Sequence, residues 1–201
     1  MQLFYTAGAC SLAPHIVLQE INQDFNLVNV SFKNHQTEQG QDFLKINPKG
    51  QVPFLISDDG LHLSEGAIIS QYLAETAKRS DLLPKFGDLK RYKVLEWMNY
   101  ISSELHKSYA PFFQKGFDDT SKNIFKEKLL KQYTWVDEQI HDSENLLGQA
   151  FTIAEIYLFV VTRWATFINL DLSHLKSLQA FMEQMQQHPS VQKAMKAEGL
   201  L

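Results

Sequence analysis

The sequence predicts a small α/β domain over residues 1–80, followed by an all-α, helical domain over residues 87–201. Three observations lead there. Short β-type runs alternate with helical stretches as far as about Ala77. Beyond Pro84 the strand signals stop, and the periodic segments repeat at helical spacing. Between the two, Lys78–Gly87 carries Pro84 and Gly87 and reads as a linker.

Element by element, Gln2–Tyr5 reads as a strand, Leu12–Glu20 as a helix and Leu27–Ser31 as a second strand. A polar, poorly patterned stretch follows from Asn34 to Lys45. Phe54–Ser57 and Leu61–Leu63 flank Asp58-Asp59-Gly60, a hairpin signal because Asp-Gly accepts the positive φ of a tight turn. Ser64 then reads as the cap of a helix running to about Ala77. The order β-α-β-α-β-β-α is that of a thioredoxin-like domain. Helices are expected next at Asp88–Tyr109, Ser121–Ile140, Thr152–Ile168 and Leu175–Gln187. The third opens on a capping box, Thr152 with Glu155, and a hydrophobic staple, Phe151 with Ile156; this is a folding device without chemistry.

Composition narrows the function. At 44% hydrophobic and 21% charged, the 201 residues can bury a core and are too apolar for disorder. The net charge is −4 with lysines scattered among acids, which excludes the basic stripe that nucleic acid or anionic lipid needs. The most apolar window, Ile153–Ile168, carries Glu155 and Arg163; it reads as a buried helix, and no membrane span is expected. Met1-Gln2-Leu3-Phe4-Tyr5 lacks the features of a signal peptide. With a single cysteine, the expectation is a cytoplasmic protein without disulfides. The seven histidines show no paired-ligand spacing, so no metal is expected.

Four segments carry chemistry: Tyr5-Thr6-Ala7-Gly8-Ala9-Cys10-Ser11-Leu12-Ala13, Asn47-Pro48-Lys49-Gly50-Gln51-Val52-Pro53-Phe54-Leu55, Ser64-Glu65-Gly66, and Asn99-Tyr100-Ile101-Ser102-Ser103-Glu104-Leu105-His106-Lys107. Cys10 is expected at the first turn of a helix, where unpaired N–H groups favour the thiolate over its reference pKa of about 8.5. Ala13 stands where a Cys-x-x-Cys pair would place its second sulfur, so Cys10 can only meet an outside thiol. A lone cysteine is more commonly buried and inert. Ser64 is a good N-cap at a helix end that favours a carboxylate, and capping alone explains it while leaving Glu65 and Gly66 unassigned. Asn99, Ser103 and His106, spaced four and three apart, form a polar stripe beside the apolar stripe Val94, Met98, Ile101 and Leu105. A solvated face would produce the same stripe.

Together, in order and in register from Met1 to Gly199-Leu200-Leu201, these segments resemble the bacterial beta-class glutathione transferases. The resemblance implies that the chain takes glutathione as co-substrate and conjugates its thiolate to a small hydrophobic electrophile, in detoxification. It implies a cis Val52–Pro53 peptide whose Val52 backbone pairs with the cysteinyl backbone of glutathione. Ser11, Glu65 and Gly66 join Cys10 in the glutathione set, with Glu65 meeting the γ-glutamyl ammonium. Asn99, Ser103 and His106 meet glutathione from the helical domain, and His106 and Lys107 help hold its sulfur as thiolate. Glu104 lies near the partner's glutathione in a twofold homodimer. Tyr109, Phe112, Phe113 and Trp164 are the expected wall of the electrophile pocket. Tyr5 matches the thiol-activating residue of other classes and is given a place in the pocket only. Three positions depart from the pattern. His35 replaces a lysine that holds the glycyl carboxylate. Thr6-Ala7 replaces a basic residue and proline and could loosen the turn before Cys10. Ser103 replaces threonine and keeps its hydroxyl. Two other readings stay open: a glutathione-dependent thiol reductase or peroxidase using Cys10, and a non-catalytic binding protein of the same fold.

Overall fold

The computed structural model describes residues 1–141, 146 and 151–201. The chain packs as two compact units, Met1–Leu83 with His188–Leu201, and Pro84–Gln187. The expected second domain, 87–201, differs from this division at its end, because the last fourteen residues pack with the first unit.

The first unit holds strands β1 (Gln2–Tyr5), β2 (Asn26–Ser31), β3 (Gln36–Thr37), β4 (Phe54–Ile56) and β5 (His62–Ser64), in the spatial order β3-β2-β1-β4-β5. β1 runs parallel to β2 and antiparallel to β4, and β4 is antiparallel to β5. The central strand is buried on both faces, so Leu3 and Phe4 are equally hidden although they point opposite ways. On one face Phe4 packs with Val28, Val30, Phe43, Val52 and Phe54. Three helices belong to this unit: α1 (Leu12–Glu20), α2 (Gly66–Thr76) and, at the chain's end, α8 (Pro189–Ala197), with α1 packed against both others. The fold is thioredoxin-like, with two differences from the expected order, of which the short strand β3 is one. Between β2 and β4 the helix is reduced to a three-residue 3-10 turn, Phe43–Lys45, whose Phe43 feeds the core.

Two boundaries also move. Ser64 does not cap α2. It still pairs with Phe54 across the β4–β5 ladder, so its backbone stays extended and its hydroxyl accepts from Lys49 Nζ at 3.0 Å. Glu65, at φ 72°, takes the cap position without a side-chain bond. Helix α8 lies beyond the expected last element. Pro189 opens it at a position whose N–H has no helical partner anyway, and Gly199, at φ +69°, closes it. There the N–H of Leu200 reaches Met195 O and that of Gly199 reaches Lys196 O, a Schellman ending.

The named elements of the second unit's described residues are helices: α3 (Leu89–Tyr100), α4 (Ala110–Phe113), α5 (Asp119–His141), α6 (Ile153–Thr162) and α7 (Lys176–Gln187). Every residue of α6 is buried, including Glu155, which completes the expected capping box with Thr152. A 3-10 stretch, Arg163–Ile168, extends α6. The expected single helix Asp88–Tyr109 is instead α3 followed by a π-helical stretch, Ile101–His106. Val94, Met98, Ile101 and Leu105 are buried as the apolar stripe requires. The wider π turns rotate the polar positions out of line. Asn99 and Ser103 are exposed, whereas His106 is half-buried and turned toward α6. Among the described residues no helix is long and apolar enough to cross a membrane.

Candidate active site

In the first unit, β1 delivers the chain into a turn that ends at α1. The helix begins at Leu12 with Ser11 as N-cap, so Cys10 precedes the cap and is not in the first helical turn as expected. Its Sγ lies 3.3 Å from the carbonyl oxygen of Val52 and donates to it. A carbonyl accepts from a thiol and offers nothing to a thiolate, so this arrangement makes Cys10 a hydrogen-bond donor.

The turn is held from three sides. Thr6 Oγ1 donates to Val30 O at 2.6 Å. Ser11 Oγ accepts from Thr6 N at 3.2 Å and donates to Thr6 O at 3.3 Å. Thr6 therefore fastens the loop that its substitution for the usual residues was expected to loosen. Ser11 is fully buried, with its hydroxyl committed to Thr6; it shapes the turn and does not face a ligand as expected. The third hold comes from the chain's end. Glu198 accepts from Gly8 N at 2.9 Å through one oxygen and meets His15 Nδ1 at 2.8 Å through the other. Both side chains of that pair are fully buried. Tyr5 sits nearby, and burial, followed by the charges of Glu198 and Glu38, pushes its phenol pKa up. Tyr5 therefore stays protonated at neutral pH.

Three elements of this unit converge. The Val52–Pro53 peptide is cis, as the resemblance implied. A Cβ added to Gly66 would stand 3.5 Å from Pro53 Cγ and 4.0 Å from Cys10 O, so α2 begins directly against the proline and the cysteine turn. Glu65 holds a left-handed backbone that non-glycine residues rarely adopt. Its exposed carboxylate meets Lys49 Nζ at 2.9 Å. His35 is also left-handed, at φ 52°, and lies over Gly50, where a Cβ would come within 3.2 Å of the ring. His35 Nδ1 is buried without a hydrogen-bond partner.

In the second unit, His106 Nδ1 lies 2.6 Å from Tyr157 Oη. Its ring stands at a steep angle to Trp164, centroids 4.9 Å apart, and Trp164 also packs edge-on with Tyr109 and Phe113. Of the four expected pocket residues, Phe113 is exposed, Phe112 half-buried and Trp164 nearly buried. Tyr109 is a core residue instead. It is fully buried, its hydroxyl meets that of Tyr133 at 3.0 Å, and burial drives its pKa far upward. Lys107 is exposed, and Glu104 meets Lys128 Nζ and Gln132 Nε2, both at 3.2 Å.

Residues 1–75 match the family described as glutathione S-transferase, N-terminal domain, and residues 103–198 match glutathione S-transferase, C-terminal domain. The chain belongs to the glutathione S-transferase family. It is 46% identical over 200 residues to the glutathione S-transferase GstA of Escherichia coli O157:H7, covering 100% of both chains. Among solved structures it is similar to a bacterial beta-class glutathione S-transferase of Sphingomonas chungbukensis, at 38% identity and a TM-score of 0.96, covering 100% of both. A sphingomonad glutathione S-transferase complexed with glutathione shares the same identity, TM-score and coverage.

Within this glutathione S-transferase, the first unit brings together Cys10, Val52, Pro53 and Gly66 from the expected set. Glu65 adjoins them in sequence. Sequence reasoning missed three residues that contact expected site residues or the turn before Cys10. Tyr157 gave a signal, since a lone phenol inside an apolar helix needs a hydrogen-bond partner. His15 and Glu198 gave none, because one reads as part of a core helix and the other as a solvated helix end. Among the described residues no cluster of His, Cys, Asp or Glu could hold a metal ion.

Proposed function

We propose that this protein is a glutathione transferase that binds reduced glutathione through the first unit, ionises its thiol and joins the sulfur to a small hydrophobic electrophile. The observation that carries this reading is the convergence of Cys10, the cis Val52–Pro53 peptide and Gly66. The Val52 backbone receives the cysteinyl backbone of glutathione in the manner of an added strand. Glu65 draws the γ-glutamyl ammonium, for which Lys49 now stands in. His35 receives the glycyl carboxylate. The thiol loses its proton to solvent, its sulfur supplies the bonding pair to the electrophilic carbon, and the leaving group departs with its own pair. Asn99, Ser103, His106 and Lys107 keep the roles the resemblance gives them, with Phe112, Phe113 and Trp164 against the electrophile. Detoxification in the cytoplasm and a twofold homodimer, with Glu104 near the partner's glutathione, complete the proposal. Light scattering at micromolar concentration is expected to give twice the chain mass, and a monomer would remove the dimer.

Cys10 acts here as a hydrogen-bonding neighbour, since its S–H donates to a carbonyl. A serine hydroxyl can do the same. The expected result is that Cys10→Ser stays on immobilised glutathione and keeps a substantial part of the conjugating activity. His106→Ala is expected to lose about tenfold to a hundredfold, the worth of one charge-assisted hydrogen bond. The thiol reductase reading needs Cys10 as the attacking sulfur, and serine cannot replace it there. Complete loss of conjugation in a folded, glutathione-retaining Cys10→Ser protein would overturn this role. No melting shift of the wild type at saturating glutathione would remove the whole function, binding included.

A further inference from the structure

The π stretch that ends at His106 turns this histidine toward α6, where it meets the hydroxyl of Tyr157. Tyr157 Oη lies 2.6 Å from His106 Nδ1, and the rings are nearly perpendicular, with centroids 6.0 Å apart. Tyr157 is 3% exposed and sits between buried Ile156 and Leu158, so the helix fixes the hydroxyl in place. Trp164 packs on the same imidazole at 4.9 Å. A hydrogen bond and an aromatic wall thus both act on the ring.

The direction of that hydrogen bond follows from the chemistry of the pair. A phenol O–H is a strong donor and its oxygen a weak acceptor. The lone-pair nitrogen of a neutral imidazole is a strong acceptor. The favoured arrangement has Tyr157 O–H donating to His106 Nδ1, and the short separation suits an O–H donor. Nδ1 then carries no proton, and the neutral ring carries its proton on Nε2.

We infer that Tyr157 is a positioning residue that holds neutral His106 in its Nε2–H tautomer, so that the imidazole donates a hydrogen bond to the glutathione thiolate without first becoming a cation. The inference rests on the proposed role of His106 at the glutathione sulfur. It adds to that role a defined donor atom and the residue that supplies it. The second-unit helix α6, outside the four segments that carried the chemistry in the sequence, thereby enters the function.

The test has two arms. In the first, long-range 1H–15N correlation spectra of protein labelled at histidine nitrogen are recorded above the imidazole titration measured in the same sample. His106 is expected to show an unprotonated Nδ1 and a protonated Nε2, and Tyr157→Phe is expected to shift Nδ1 by removing its donor. A protonated Nδ1 in the wild type would overturn the inference. In the second arm, conjugation is measured for Tyr157→Phe, His106→Ala and the double variant. Tyr157→Phe is expected to lower kcat by about tenfold, on the scale of one hydrogen bond, with KM for glutathione unchanged. It is expected to add nothing further in the His106→Ala background, because it acts through that histidine. Effects that simply add would assign Tyr157 to folding and overturn the positioning role. A wild type that does not conjugate at all fails the proposed function, and the spectra still decide the tautomer.

Discussion

Glu198 is the residue on which the geometry of the cysteine turn depends most. Its two carboxylate oxygens answer two separate groups, Gly8 N–H and His15 Nδ1, in a place that water does not reach. A Cβ on Gly8 would also meet Leu200 Cδ2 at 3.5 Å, so the segment after Glu198 closes on the same turn. Replacing Glu198 by alanine leaves a buried donor and a buried imidazole nitrogen without this partner. The expected cost is about 2–4 kcal/mol, or roughly 5–15 °C in melting temperature for a chain of this size. Glutamine retains an oxygen for Gly8 and offers an amide N–H to His15, so Glu198→Gln should recover most of the loss. Calorimetric melting of both variants checks this, and equal melting of wild type and Glu198→Ala would refute it. Because Gly8 lies two residues before Cys10, the alanine variant should also conjugate less at fixed glutathione.

At the scale of elements, legibility followed the strength of the local signal. β1, α1 and the β4–β5 hairpin were readable because apolar periodicity and Asp59-Gly60 point the same way. The two-residue β3 was not, because its pairing with β2 is set by tertiary register and not by its own polar sequence. Helix α8 carries a start signal in Pro189 and an end signal in Gly199 but lies past the last apolar run that reads as a helix. The π stretch is the most consequential of these. Periodicity at 3.6 residues places Asn99, Ser103 and His106 on one face, while the wider turn sends His106 toward Tyr157. The motif around Cys10 was likewise located but not resolved. Helix α1 begins at Leu12 as the sequence predicts, yet Cys10 stands one residue before the Ser11 cap, with its Sγ 3.3 Å from Val52 O. Sequence patterns here identified which segments gather at the site. They did not specify which way the hydrogen bonds within it run.

At the scale of the whole molecule, the chain leaves the first unit at Leu83, folds a second unit of its own, and comes back at His188. The returning segment is structural to the first unit. Val191, Ala194 and Met195 are buried, α8 packs on α1, and Glu198 reaches the turn before Cys10. The second unit ends at Gln187 and keeps all of α6 and α7. Deleting residues 188–201 should therefore harm one unit selectively, although the deleted piece is far in sequence from the residues it supports. Hydrogen exchange is the measurement that separates the two. In the truncated chain, amides of α1 and β1 should exchange much faster than in the full chain, while those of α6 stay protected. Retention on immobilised glutathione should fall with them, since Cys10, Val52 and Gly66 all sit in the unit that loosens. Unchanged protection across residues 12–20 after the deletion would show that α8 is only a surface addition. Equal loss of protection in α6 would show that the two units melt as one.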